Sequence, residues 1–99
     1  MNPNGDSIRD RVARVAGLMQ FPSDYAVKVM GARVDDFSES MVAVLRRHAP
    51  DLDVSMVQLR ASRQGNYLSV TATIRATSRE QLEALYQELT THPLVKVVL

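Results

Sequence analysis

A fourteen-residue block from Gly65 to Ser78 constrains the fold more than any other part of the chain. Gly65-Asn66 is a turn signal, because both residue types tolerate positive φ angles. Apolar and polar side chains then alternate from Tyr67 to Ala76, and a period of two predicts a strand with one buried and one solvent-facing side. Thr77 or Ser78 offers a side-chain oxygen that can cap a following helix. The block therefore predicts a turn, a strand and a helix start in direct succession.

Periodicity extends this prediction to the rest of the chain. After a polar segment, a helical pattern begins at Ser7, with one apolar face made of Ile8, Val12, Val15 and Met19. The elements predicted after it are a strand at Tyr25–Met30 that Gly31 breaks, a helix from Asp35 or Asp36 to about His48, a strand at Val54–Ser62, the strand described above, a helix from Ser78 to about Thr91 and a strand at Leu94–Leu99.

For the second and the last predicted strand, we consider which of the two sets of alternating side chains faces the core. The side favoured for the core of the second strand carries Val57, Leu59 and Ala61, while the opposite phase, with Val54 and Met56 inward, remains open. In the last strand the residues predicted to face inward are Val95, Val97 and Leu99, with Lys96 outward.

The order of elements, βαββαβ, predicts an α+β fold of the ferredoxin-like kind. Right-handed crossovers and the hairpin then lead to a four-stranded antiparallel sheet in the order 4-1-3-2, with two helices on one face and the other face free. We expect residues 1–20 to form an N-terminal arm, disordered and then helical, and residues 21–99 to form a single domain.

Composition narrows the classes of function. The 99-residue chain has no cysteine, which excludes disulfides and thiol chemistry and is typical of a reducing compartment. No apolar run approaches the ~20 residues of a membrane span, and the polar start, Met1–Asp6, does not resemble a signal peptide. We therefore expect a cytoplasmic protein that does not bind a membrane.

Candidate catalytic, metal and cofactor residues are scarce. His48 and His92, the only histidines, each end a predicted helix, where imidazoles commonly cap exposed carbonyls. Two histidines without cysteine make a weak metal set, even with Asp51 and Asp53 nearby, and the four scattered glycines build no phosphate-binding loop. The sequence predicts no enzyme, no metal and no cofactor.

Basic residues are predicted to collect on the free face of the sheet. Each strand contributes one of them, namely Lys28, Arg60, Arg75 and Lys96, while the acidic residues cluster on the helices. The simpler interpretation is a solvated face whose charges prevent edge aggregation. The alternative is an RNA-binding module that stacks bases on this face. Tyr67 is the one aromatic side chain predicted to face outward there, which gives no stacking platform, so nucleic acid is not the expected partner.

Several local strings resemble the YbeD-like family of small bacterial proteins of unknown function. They are Phe21-Pro22, Lys28-Val29-Met30-Gly31, Arg47-His48-Ala49-Pro50, Gly65-Asn66-Tyr67 with Ser69-Val70, Ala76-Thr77, Leu85-Tyr86 with Glu88-Leu89, and Val98-Leu99. The resemblance covers nearly everything from about residue 18 onward. It implies the ferredoxin-like topology, close to that of ACT ligand-binding domains, and it implies no established activity and no catalytic residues.

The likeness to ACT domains, which dimerise and bind small molecules at the junction, suggests a non-enzymatic regulatory or adaptor domain with a small-molecule or protein partner. Gly31 and Arg33 are the candidate anion-binding residues, because they precede a predicted helix N-terminus. A homodimer is left open. So is an adaptor role, in which a partner binds the N-terminal stripe or the apolar part of the free face, made of Ala26, Met30, Tyr67, Leu94 and Val98. If the N-terminal stripe and that face instead cover each other, the adaptor role loses its support.

Overall fold

The computed structural model describes residues 8–99, so the prediction of a loose segment at residues 1–6 lies outside the described residues. The elements are α1 (Ile8–Gly17), β1 (Ser23–Ala32), α2 (Phe37–His48), a short 3-10 helix (Val54–Met56), β2 (Gln58–Ala61), β3 (Tyr67–Ala76), α3 (Arg79–Thr91) and β4 (Val95–Val98). The four strands form one antiparallel sheet in the order β2-β3-β1-β4, which confirms the predicted order.

The central pair of strands is long and regular. β1 pairs with β3 along all ten residues of each, from Ser23 opposite Ala76 to Ala32 opposite Tyr67. The hairpin before β3 turns at Gly65, which has a φ angle of 77°. This left-handed conformation suits a residue without a side chain, so Gly65 serves the turn that the sequence predicts.

Both predicted helices bury the predicted stripes against one face of the sheet. The buried residues of α2 are Phe37, Met41, Val44 and Leu45, and those of α3 are Leu82, Leu85, Tyr86 and Leu89. They meet the inward-facing side chains of β1 and β3, among them Val27, Val29, Val70 and Ile74, in one hydrophobic core. The hydroxyl of Ser78 accepts the Gln81 backbone N–H at 3.1 Å and caps α3, whereas the side chain of Asp36 makes no cap bond to α2.

The N-terminal helix lies in the helix layer and not on the open face of the sheet. α1 packs against α3, and its Val12 and Ala16 are buried while Val15 is exposed. The predicted stripe is thus right at Val12 and wrong at Val15. The described part of the N-terminal segment does not cover the other face of the sheet, so α1 does not bury the apolar side chains of that face.

The prediction that Gly31 breaks the first strand is wrong. Gly31 lies inside β1, buried, opposite Leu68 in β3 and Val95 in β4. A Cβ atom at this position would overlap the Phe37 ring and the Leu94 carbonyl oxygen. The glycine therefore permits close packing within a continuing strand and does not end it.

The second strand is shorter than predicted. Residues 54–56 form a 3-10 turn in which the Asp53 carboxylate accepts the Ser55 backbone N–H at 3.0 Å. In β2, Leu59 lies opposite the buried Val70, which confirms the phase favoured for this strand. Leu59 is nevertheless 55% exposed, because β2 is an edge strand beyond the part of the sheet that α2 and α3 cover.

The phase predicted for the last strand is wrong after Val95. The pairing of β4 with β1 shifts between Met30 and Gly31, so that Val95 lies opposite Gly31 but Val97 lies opposite Met30. This bulge turns Val98 inward, where it is 7% exposed, and leaves Val97 and Leu99 outward and exposed. An extra residue in a strand shifts the alternation of all later side chains, which is why a period-two interpretation failed here.

Candidate functional site

The open face of the sheet is built by cross-strand rows that span three strands. In one row Lys28 of β1, Thr71 of β3 and Gln58 of β2 lie side by side, and in the next Met30, Ser69 and Arg60 do. Ser69 is only 6% exposed although it lies on the uncovered face. Its hydroxyl donates to the Arg60 carbonyl oxygen at 3.3 Å, so this polar group in the middle of the face already has a partner within the sheet.

A depression of about 140 Å³ lies on this face at the hairpin end. Its lining includes Lys28, Met30, Arg60, Tyr67 and Ser69, and no carboxylate is among the lining residues. Lys28 and Arg60 approach it from β1 and β2, which are two strand spacings, or about 10 Å, apart. An ammonium and a guanidinium on either side of hydroxyl-bearing residues suit an anionic group.

The structure separates Arg75 from these two cations. The Arg75 guanidinium lies 3.3 Å from the Asp24 carboxylate, its cross-strand neighbour. Asp51 and Asp53 line the same end of the face. The charge of Arg75 is therefore compensated locally, and the predicted basic face divides into a basic half near the hairpin and a mixed half at the opposite end.

Lys96 is placed differently from the prediction. It is the extra residue of the bulge in β4, between Val95, opposite Gly31, and Val97, opposite Met30. Its side chain is exposed at the sheet edge. Val97 takes the position on the open face that the sequence assigned to Lys96, so the structure brings together Lys28 and Arg60 out of the four predicted basic residues.

Gly31 and Arg33 do not converge on a loop before α2. Gly31 faces the Phe37 ring on the helix side of the sheet, whereas the exposed Arg33 continues the hairpin, its backbone N–H donating to the Asn66 carbonyl at 3.0 Å. The turn on which that anion-site prediction rested is absent, because β1 runs on through Ala32.

Both histidines make structural contacts near helix ends. His48 Nε2 lies 2.7 Å from a Glu88 carboxylate oxygen, and Arg47 contacts the same carboxylate. Burial, and after it the Arg47 guanidinium, lowers the pKa of His48 below its usual value. His92 Nδ1 accepts the Leu94 backbone N–H at 3.1 Å. Sequence reasoning anticipated roles at helix ends but missed Glu88, which lies forty positions from His48.

Two classes of site have no candidate in the part of the chain that the structure describes. Within residues 8–99, no three histidine or acidic side chains are grouped closely enough to hold a metal ion. Over the same residues, none of the helices has the length and apolar character needed to cross a membrane.

A second surface feature, which the sequence did not reveal, is an apolar groove of about 520 Å³ between α2 and β2. It is lined by Val42, Ala43, Val54, Val57 and Leu59, with Glu39 and Arg46 at its margins. The sequence contains one sign of this groove, Val42, which is an aliphatic residue outside the buried stripe of α2. The position of Val42 could be interpreted only once β2 was known to be an edge strand that no helix covers.

Comparison with known proteins identifies the family. A family model described as "Protein of unknown function (DUF493)" matches residues 16–99. A UPF0250 protein of Ralstonia nicotianae is 50% identical over 82 residues, which cover 83% of this chain and 84% of that protein. A UPF0250 protein of Paraburkholderia phytofirmans is 49% identical over 82 residues, covering 83% and 92%.

A third relative, a UPF0250 protein of Leptothrix cholodnii, is 47% identical over 88 residues, covering 89% of this chain and 97% of the relative. The family match at residues 16–99 runs through the sheet and both core helices, and it includes the positions of the strings from Phe21-Pro22 to Val98-Leu99. The chain therefore belongs to the YbeD-like family of bacterial proteins of unknown function, DUF493 or UPF0250, as those strings predicted.

Proposed function

We propose that this chain is a non-enzymatic cytoplasmic binding domain, regulatory or adaptor in kind, and that it holds an anionic group of its ligand or partner on the open face of the sheet. The observation that carries the proposal is the pair of Lys28 and Arg60 beside a depression whose lining includes no carboxylate. A lysine supplies a compact charge and an arginine a planar fork, and carboxylates and phosphates are the groups that such a pair holds well.

The size of the depression supports a single anionic group. At about 140 Å³ the depression is smaller than the clefts of about 300–1,000 Å³ that hold drug-sized ligands, so it suits a small group such as a carboxylate or a phosphate. Hydroxyl groups of Ser62 and Tyr67 in the lining can donate to the same group, whereas the Ser69 hydroxyl already donates to the Arg60 carbonyl oxygen. These features favour a small organic acid, or one acidic group on a protein, over a large planar ligand.

The engagement of both histidines supports a role without catalysis. His48 contacts Glu88, and His92 bonds to the backbone of Leu94, so neither ring lies on the open face. General acid–base catalysis most often uses a histidine within hydrogen-bond reach of the reacting group. The side chains that line the depression offer charge and hydrogen bonds but no activated nucleophile.

RNA binding receives less support. The chain has three tyrosines and two phenylalanines, and Tyr67 is the aromatic residue that lies on the open face. Tyr25 lies on the helix side, where its hydroxyl is 3.2 Å from that of Tyr86. Sheet-based RNA recognition stacks two or three bases on aromatic side chains, and a single tyrosine does not make such a platform.

The test is a titration of the ¹⁵N-labelled chain, followed by amide chemical shifts, with inorganic phosphate, dicarboxylic acids, amino acids and a short single-stranded RNA. We expect a small anion to shift the amides of Lys28, Arg60 and Ser69, and the double variant Lys28→Gln/Arg60→Gln to weaken its binding at least tenfold. Arg75→Gln is the matched control, because Arg75 is already paired with Asp24.

Two results would count against this proposal. The first is the absence of amide shifts with every small anion at about 10 mM. Because this concentration half-occupies a site whose dissociation constant is about 10 mM, the result would show that the open face holds no anion site. The second is salt-dependent binding of the RNA without binding of any small anion, which would support the RNA-binding hypothesis instead.

A further inference from the structure

The groove between α2 and β2 is a contiguous apolar surface that no described residue covers. Leu59 is 55% exposed and Val54 45% exposed, and both line the groove with Val42, Ala43 and Val57. Single exposed aliphatic side chains are common on proteins, so the apolar lining of the groove needs a second observation before it indicates an interaction surface. The groove lies on the helix side of the sheet, opposite the depression at Lys28 and Arg60.

The α2 wall of the groove carries an ordered pattern of charge. Glu39, Val42, Ala43 and Arg46 follow one another at spacings of three, one and three, which places them on one helix face. This face is distinct from the buried stripe of α2. An acid stands at one end of it, a base stands at the other end, and two apolar side chains lie between them.

Neither charge is neutralised within the described structure. Among residues 10–99, Glu39 and Arg46 have no ion-pair partner, whereas Arg47, Arg75 and Arg79 each have one. The signs suit the helix dipole, but the dipole does not explain why aliphatic residues lie between the two charges and continue onto β2.

A surface with an acid at one end and a base at the other is complementary to a second copy of itself rotated by 180°. We infer that the groove is the contact between two copies of this chain, related by a two-fold axis that sets Glu39 of each copy against Arg46 of the other. Seven residues of helix span about 10 Å, so the axis passes between Val42 and Ala43. The symmetry makes both ion pairs at once, which is the property of an isologous interface.

The free edge of β2 fits the same arrangement. Gln58–Ala61 pairs with β3 on one side, and no other described strand pairs with it. An exposed strand edge readily accepts another strand, and an antiparallel β2 from a second copy brings the two grooves together. Leu59 of each copy then becomes buried, as expected for a residue that shares its side of the sheet with Val70.

The experiment is sedimentation equilibrium of the full chain over a range of concentrations, with charge reversals at the two ends of the stripe. We expect the wild-type chain to form a dimer, and Glu39→Arg and Arg46→Glu each to weaken the dimer at least tenfold, because each creates two like-charge contacts. An equimolar mixture of the two variants should restore association, because one copy then carries two bases and the other two acids.

Glu80→Arg is the matched control, since Glu80 is an exposed acid in the first turn of α3, as Glu39 is in α2. It should leave the dimer unchanged, while Leu59→Ser should weaken it without unfolding the monomer. A dimer indifferent to Glu39→Arg, Arg46→Glu and Leu59→Ser would overturn the inference, because the contact would then lie elsewhere. A wild-type chain that stays monomeric at about 1 mM, where even millimolar affinity is visible, would also overturn it and leave the groove to a different protein. The anion titration reports on the other face, so either proposal can fail alone.

Discussion

The hydroxyl groups of Tyr25 and Tyr86 lie 3.2 Å apart where β1 meets α3. Tyr86 also donates to the Leu99 carbonyl oxygen at 3.4 Å and is only 4% exposed. Burial, and after it the hydrogen bond with Tyr25, raises the pKa of Tyr86 above its usual value of 10.0. The contact joins the start of the first strand, the second core helix and the end of the chain.

This contact predicts a loss of stability at alkaline pH. Above pH 10 the unfolded chain loses the Tyr86 proton while the folded chain keeps it, so the free energy of unfolding falls as pH rises through that value. Urea unfolding at several pH values from 9 to 11 measures the slope. Tyr86→Phe removes the ionisable group and should make the slope shallower. An equal slope in the variant would show that Tyr86 is not protected from ionisation.

Gly31 predicts a steric effect of a single methyl group. In Gly31→Ala the new Cβ would lie against the Leu94 carbonyl oxygen and 3.0 Å from Phe37 Cδ1. We expect a loss of about 1–3 kcal/mol in the free energy of unfolding, as for other overpacked sites. Gly17→Ala is the control, because nothing lies within 4 Å of its added Cβ, and alanine at a helix position is neutral or stabilising. Equal effects of the two substitutions would contradict the packing assigned to Gly31.

At position 81 we expect stability to require a side-chain amide, which can donate as well as accept hydrogen bonds. Its Oε1 accepts the Thr77 backbone N–H at 2.7 Å, and its Nε2 donates to the His48 carbonyl at 2.8 Å. Gln81→Glu keeps the acceptor but loses the donor, so a carboxylate oxygen would face a carbonyl oxygen. Thermal or urea unfolding should show a loss of about 1–3 kcal/mol. The control Glu80→Gln, at an exposed neighbour, should stay within about 0.5 kcal/mol, and a similar result for both would argue against the bridge.

We expect truncation of Leu59 to cost unusually little free energy of unfolding for a leucine in a strand. At low protein concentration, Leu59→Ala should lower the free energy of unfolding by less than about 1 kcal/mol, because the side chain is already 55% exposed. Leu45→Ala, at a fully buried position of α2, should cost about 2–5 kcal/mol. Comparable costs at the two positions would mean that Leu59 belongs to the core of the monomer.

Much of the architecture follows from local patterns. The alternation from Tyr67 to Ala76 and the helical stripes at Phe37–Leu45 and Leu82–Leu89 predicted the elements correctly, because the period of buried side chains reflects the local geometry of each element. The short connections and the handedness of crossovers then allowed one sheet order, which the structure confirms. The placement of Lys28 and Arg60 on the open face also follows from this alternation.

What the sequence alone could not decide depends on contacts between distant residues. The bulge that reverses Val97 and Val98, the continuation of β1 through Gly31 and the compensation of Arg75 by Asp24 arise from strand pairing across the chain. The exposure of Leu59 arises because no helix covers the sheet edge. Local periodicity determined which side chains alternate, and only the packed sheet decided which of them are covered, neutralised or left at a surface where another molecule can bind.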